Sequence, residues 1–305
     1  MKRREFLKGT LASSALVTVG GLSLSSFTNA PDIKKLTILH TNDVHSHIDP
    51  FPATDPKNPN MGGVARRASL IQEIRKENPN VLLLDAGDIF QGTPYFNYYG
   101  GELEFKLMSM LQYDLATMGN HDFDNGIDGF YAQLPHAKFD FVSANYDFKN
   151  TVLDGIVKPY KIFVKDGIKI GVFGLGVELQ GLVDKKLYKE TVYNDPVETA
   201  NEMTRILKHE QKCDLVICLS HIGFKYNNEP ERICDVLLAR RTKDIDLIIG
   251  GHTHTFLTKP VIEKNRDGKE VLINQVGCYG INLGRIDFYF DADKTKSHSG
   301  KSIVV

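Results

Sequence analysis

The apolar positions along this chain fall into two rhythms. Short runs with strand character, at 36–40, 81–84, 115–118, 215–219 and 246–249, each lead into a polar motif built of carboxylates, imidazoles or an amide. Between them lie stretches with apolar residues three and four apart. Residues 62–78 predict a helix, apolar at Val64, Ala68, Leu70, Ile71 and Ile74 and stopped before Pro79. Residues 102–111 predict a second. A third opens at Asp195-Pro196-Val197-Glu198, with Asp as N-cap, Pro in the first turn and Glu in capping-box position, and is expected to reach Gln211. A fourth is predicted over 229–240. Runs at 160–164 and 168–173 flank Asp166-Gly167, a hairpin signal, and 271–276 and 285–290 add later strands. Strands alternating with helices in this way predict a layered α/β sandwich rather than a simple doubly wound sheet. The proline-bearing loop 49–60 is expected to be a surface excursion, and 293–305 a short polar tail.

Composition narrows the class. The chain has 305 residues, 42% of them hydrophobic, with a formal net charge of −1. Residues 1–30 carry Lys2, Arg3, Arg4 and Lys8 against Glu5, so the remainder is net −4. A mildly acidic body has no electrostatic footprint for nucleic acid, and an anionic substrate must be gripped locally. Residues 2–8, Lys-Arg-Arg-Glu-Phe-Leu-Lys, precede an uncharged stretch rich in Ala, Ser, Val and Gly. This start resembles a twin-arginine export signal, and its serines and glycines make a poor membrane span. Thr28-Asn29-Ala30 offers small residues for cleavage, although Pro31 behind them opposes a signal peptidase. With no cysteine near the signal, the expectation is an exported protein, periplasmic or extracellular, without a stable membrane anchor.

Cys213, Cys218, Cys234 and Cys278 lack paired metal-type spacing and read as small buried hydrophobes. An oxidising compartment leaves a disulfide between distant cysteines open.

The motifs themselves carry the chemistry. Asp43-Val44-His45 places two donors where an extended turn aims both at one ion. Gly87-Asp88 offers a carboxylate, and one anion shared by two cations offsets their repulsion. Gly119-Asn120-His121-Asp122-Phe123-Asp124 contributes a neutral amide oxygen and, beside it, an imidazole thrown to the opposite side. His221 follows Ser220. Gly250-Gly251-His252-Thr253-His254 lets the backbone pass close to a site on which two imidazoles converge. Seven nitrogen and oxygen donors without a thiolate suit two divalent ions rather than a structural zinc knuckle.

In order and approximate spacing these motifs resemble the calcineurin-like metallophosphoesterases. The segments 36–47, Gly62-Gly63-Val64-Ala65-Arg66, 87–94 and Gly119-Asn120-His121-Asp122-Phe123-Asp124 resemble more narrowly the N-terminal catalytic domain of the 5′-nucleotidase family, over roughly residues 33–292. The resemblance implies an α-β-β-α sandwich with mixed sheets over 31–292. It implies one metal held by Asp43, His45, Asp88 and His254, and a second by Asp88, Asn120, His221 and His252. His254 stands where some nucleotidases have Gln or Asn, and Asp122 where relatives often have Glu. His121 and Asp124 match a catalytic dyad, in which His121 stabilises or protonates the leaving oxygen and Asp124 orients it. Two divalent ions, zinc, manganese, cobalt or iron, would activate a hydroxide for in-line attack on phosphorus. His40 is expected to pack at its strand end, and His136, His209 and His298 to lie at the surface. Arg66 and Arg67 are assigned to a solvated helix face, while His47 stands near the site as a second-sphere candidate.

The expected function is therefore phosphate release from a small phosphorylated substrate, a nucleotide first. In the resembled family a C-terminal domain recognises the nucleotide, and none is expected within this sequence. One alternative is a catalytic subunit that needs a separate nucleotide-recognition-domain protein. Others are a 2′,3′-cyclic nucleotide phosphodiesterase, a UDP-sugar hydrolase or, least favoured, a non-catalytic metal-binding subunit. An exported thiosulfohydrolase shares the domain but carries a modified cysteine beside its metals, and none of the four cysteines here sits in an obvious site loop.

Overall fold

A computed structural model describes residues 33–294 and 296–305, so the expected export signal at 1–30 lies outside the described residues. In chain order the strands are β1 (Lys34–Thr41), β2 (Val81–Asp85), β3 (Leu115–Ala116), β4 (Asp140–Phe141) and β5 (Tyr146–Asp147). Next come β6 (Tyr160–Lys165), β7 (Ile168–Gly176), β8 (Val192–Tyr193), β9 (Leu215–His221) and β10 (Leu247–Gly250). The last are β11 (Val261–Lys264), β12 (Glu270–Asn274), β13 (Asn282–Phe290) and β14 (Lys296–Val304). They build two six-stranded sheets, ordered β14-β13-β1-β2-β3-β4 and β11-β12-β10-β9-β7-β6, and β5 pairs with β8 apart from them.

Both sheets are mixed. In the first, β1, β2, β3 and β4 run parallel, β13 lies antiparallel to β1, and β14 antiparallel to β13. In the second, β7, β9, β10 and β12 run parallel, edged by antiparallel β6 and β11.

Side-chain alternation explains the layering. Leu36, Ile38, Leu82, Leu84, Ile217 and Leu219 point into one apolar layer between the two sheets. Leu39 and Leu83 point the other way, under helices Val64–Glu77 and Glu102–Met110. On the far side Val216, Cys218 and Ile248 pack under helices Pro196–Thr204 and Asp235–Arg241. The result is the expected α-β-β-α sandwich, with its parallel strands ending along one edge.

Local signals set most elements. The Asp195 side chain accepts from the N–H groups of Val197 and Glu198, the predicted cap. That helix is α-helical only to Thr204 and then widens into a π turn over Arg205–Glu210. The helix predicted over 229–240 is confined to Asp235–Arg241. Pro230 disfavours helical geometry at Glu229, and the Asp235 N–H is taken by the Gly223 carbonyl.

Residues 293–305 are more than a polar tail. β14 pairs along the whole of β13, and Ile303 and Val305 pack on the outer core. Its polar residues hid it, because an edge strand is held by backbone pairing rather than by an apolar face. All four cysteines are free and buried. Among the described residues no helix is long and apolar enough to cross a membrane.

Arg66 is exposed as expected, but Arg67 turns inward, 4% exposed, beside Asp85, Glu104 and Tyr113. One helical step, about 100°, turns it off Arg66's exposed face toward the core, so its assignment to a solvated face fails.

His40 lies at a strand end, fully buried, with its Nε2 accepting from the Asn274 amide at 2.8 Å. Burial pulls its pKa from the ordinary 6.5 to about 3. Below pH 6.5 the unfolded chain binds a proton that the fold refuses, so stability falls as pH drops from 6.5 toward 3. Over that window His40→Leu should flatten the pH dependence of the unfolding free energy by about 1.4 kcal/mol per pH unit. Urea titrations at several pH values would read this, and parallel wild-type and variant slopes would contradict it.

Candidate metal centre

The site is assembled where parallel strands of both sheets end. Asp43 and His45 follow β1, Asp88 follows β2, Asn120 and His121 follow β3, His221 ends β9, and His252 and His254 follow β10. The backbone there is unusual. Asp43, His45, Asp88, His252 and His254 all adopt left-handed conformations, with φ of 50°, 50°, 56°, 72° and 50°. Each such non-glycine residue costs on the order of 1 kcal/mol and persists where its surroundings over-determine it.

Those surroundings are hydrogen bonds. Asp43 N–H donates to Gly87 O, His45 N–H to Asp88 O, and His252 N–H to Asp43 Oδ1 at 3.0 Å. Asn42 donates its amide to Asp43 Oδ2 and to Gly277 O, both at 2.6 Å. Two glycines allow the crowding. A Cβ on Gly119 would strike Asp88 Oδ1 and come within 2.7 Å of the His221 ring, and one on Gly251 would stand 2.7 Å from His221 Nδ1.

Two donor clusters result, Asp43 with His45 and His254, and Asp88 with His221 and His252. Asp88 Oδ2 also lies 3.8 Å from His45 Nε2, so this carboxylate stands between the two. Asn120 Oδ1 is 2.8 Å from His252 Nδ1, beside the second cluster. All seven sequence-predicted donors therefore come together.

Their tautomers are set from behind. His221 Nδ1 donates to Ala86 O at 2.7 Å, which turns Nε2 inward. That Nε2 is buried, 3.0 Å from Asp88 Oδ2, yet without an aligned hydrogen bond. His45 Nε2 and His254 Nε2 face each other at 3.0 Å.

Charge follows burial. Burial resists charge on both members of the Asp88–His221 pair, but their mutual attraction wins, holding Asp88 well below the usual carboxylate range and His221 up at about 10. Hydrogen bonds to Asp43 and then to the Cys278 thiol push His254 up to about 10, while burial pulls His252 down to about 4. Protons on His221 and His254 thus stand where a divalent cation in each cluster would neutralise the buried carboxylates. The orphaned His221 Nε2 and the facing imidazole nitrogens fit such cations.

His121 and Asp124 lie at the rim, half-exposed. His121 Nδ1 donates to Asp124 Oδ2 at 2.7 Å, which raises the imidazole pKa and leaves Nε2 free to face a substrate. His47 packs on Phe51 and Tyr279 and donates from Nδ1 to the carbonyl of His45, so it supports a donor residue through its backbone. His209 is exposed, and His136 and His298 are half-buried away from the site.

Several residues at the site went unrecognised in the sequence. Asn42 orients Asp43. Gln275 donates to Gly251 O at 2.6 Å and accepts from Thr253 and Thr255. Cys278 lies against His254 and Tyr279, contrary to the expectation that no cysteine sits in a site loop. Only Asn42, inside a quoted motif, carried any signal, since the others arrive on the turn after β12.

Asp122 takes the place expected to tolerate Asp for Glu, and its role is structural. Its carboxylate accepts from the N–H groups of Asp88, Ile89, Phe90 and Gly119 at 2.8–3.1 Å, tying two donor loops together.

The chain matches the calcineurin-like phosphoesterase family over residues 36–256 and belongs to it. It is 36% identical over 282 residues to the snake venom 5′-nucleotidase of Crotalus adamanteus, covering 84% of this chain and 45% of that one. A crystal structure of a 5′-nucleotidase precursor from Thermus thermophilus superposes with a TM-score of 0.80 at 32% identity, over 89% of this chain and 55% of that chain. The Haemophilus influenzae NAD nucleotidase superposes with a TM-score of 0.77 at 29% identity, over 90% and 50%. The chain spans about half the length of the curated relatives it matches.

Asp122→Asn would turn an N–H₂ toward N–H donors, and should lower the unfolding free energy by about 2–3 kcal/mol. Denaturant unfolding measures this, and a change under about 0.5 kcal/mol would show that the four bonds do not hold the loops.

Proposed function

We propose that this chain is a two-metal phosphoric ester hydrolase of the 5′-nucleotidase type, releasing phosphate from nucleotides. The observation that carries the reading is the pair of donor clusters flanking Asp88, with the His121–Asp124 dyad at their open rim. Family membership and the likeness to nucleotidases support the substrate class.

Asp43, His45, Asp88 and His254 would hold one divalent cation, and Asp88, Asn120, His221 and His252 the other. The donor chemistry suits zinc, manganese, cobalt or iron. Bound there, the cations supply positive charge for the phosphate oxygens and an acidified water for attack. The protein does the rest. Ala86 O and Phe90 O hold His221 and His45 by their Nδ1 atoms, so neither ring turns away. His121, held protonated by Asp124, presents Nε2–H to the ester oxygen and gives up its proton as the P–O bond breaks. Asp124 accepts the Nδ1–H throughout, which fixes the ring and favours the imidazolium. The export-like residues 2–8 support delivery of the enzyme outside the cytoplasm.

The test is phosphate release by metal-reconstituted protein from AMP, UDP-glucose, a 2′,3′-cyclic nucleotide and an aryl phosphate. AMP should be turned over, and His121→Ala should lower kcat by about 100- to 10,000-fold. A wild type inert toward all four esters would overturn the reading. Metal analysis gives a second check. Asp88→Ala should reduce bound metal from two equivalents toward one or none, and undiminished stoichiometry would remove Asp88 from the shared position.

A further inference from the structure

Among the described residues, Tyr279 is the one phenol or phenyl ring in ring contact with the donor imidazoles. Its centroid lies 5.8 Å from that of His254 and 6.0 Å from that of His45. It also lies 4.3 Å from the His47 ring with 36° between planes, and His47 stacks on Phe51 at 5.2 Å and 25°. Phe51 closes the group, 5.9 Å from Tyr279. All three rings are partly exposed, whereas the donors behind them are largely buried.

The backbone is arranged to put Tyr279 there. It adopts φ of 63° between Gly277 at 81° and Gly280 at 64°. Its N–H donates to Asp43 O at 2.7 Å, and Gly277 O accepts from Asn42. A tyrosine held in the left-handed region by a metal-donor residue is costly, which points to a use for its ring. Phe51 arrives from the proline-bearing loop, a separate segment, and packs on the same His47 ring.

Position supplies the use. The His45 ring is in contact with both that of His121, at 5.3 Å between centroids, and that of Tyr279, at 6.0 Å. The leaving oxygen that His121 would protonate is thus one imidazole, that of His45, removed from the Tyr279 ring. The rest of the site is carboxylate, imidazole and amide, which recognise charge and leave a flat apolar group unaddressed.

We infer that Tyr279 and Phe51, backed by His47, form an aromatic shelf that stacks a planar ring in the leaving group, a nucleobase or another aryl group, within the catalytic domain itself. The inference rests on the hydrolase reading above and names the substrate class for it. Stacking of a base or aryl ring on such a platform tolerates many rings, since every one has a π face.

The experiment compares kcat/KM for AMP and phenyl phosphate with that for glycerol 2-phosphate, whose leaving group has no ring, in the full chain reconstituted with metal. Each variant's ratio is referred to the wild-type ratio, which cancels intrinsic differences between leaving groups. In Tyr279→Leu the ring-to-glycerol ratio should fall about ten-fold, mostly through KM for the ring-bearing esters. Phe51→Leu should lower it several-fold, and Tyr279→Phe should retain it. Should Tyr279→Leu fail to fold, Phe51→Leu decides alone. Ratios within about two-fold of wild type in the leucine variants would overturn the shelf while leaving the hydrolase in place. A wild type inert toward all three esters would overturn both.

Discussion

Two carboxylates, Asp43 and Asp88, lie fully buried where the sheets' parallel strands end, and the rest of the molecule is organised around that cost. A buried carboxylate is tolerated only when paired and hydrogen-bonded. Each here has an imidazole within reach, His254 at 3.3 Å and His221 at 3.0 Å, and the charges are drawn up accordingly. The same four groups belong to the two clusters that could each hold a divalent cation.

This arrangement lies in the backbone as much as in the side chains. Five donor residues sit at left-handed φ, so the turns after β1, β2 and β10 are strained together rather than singly. They are cross-braced, Asp43 to Gly87, His45 to Asp88 and His252 to Asp43, while Asp122 gathers four N–H groups from two loops. The sandwich beneath provides the rigidity. Its central layer of Leu, Ile, Val and Phe spans both sheets and leaves the strand ends little freedom to separate.

The kinship with nucleotidases covers this engine and about half the length of those relatives. Within it three groups of side chains stand side by side. They are the two donor clusters, the His121–Asp124 pair at their rim, and the aromatic group in which Tyr279 contacts His45 and His254. Cys278 stands between a donor cluster and the aromatic group, against both His254 and Tyr279.

By itself the sequence determined the two sheets' central strands, the cap at Asp195, the hairpin at Asp166-Gly167 and all seven donors. These are local facts: an apolar run, a turn and a polar motif reveal themselves without knowledge of neighbours. What only the tertiary structure decided was which residues meet across long separations. Arg67 turned inward because a helix face is defined by what packs on it. β14 became a strand because β13 offered a free edge, although its own residues show no apolar pattern. Asn42, Gln275, Cys278 and Tyr279 joined the site because the turn after β12 is tied to the end of β1 by hydrogen bonds across more than two hundred residues. Such contacts are made by the folded sheet, and no periodicity or short motif in the chain encodes them.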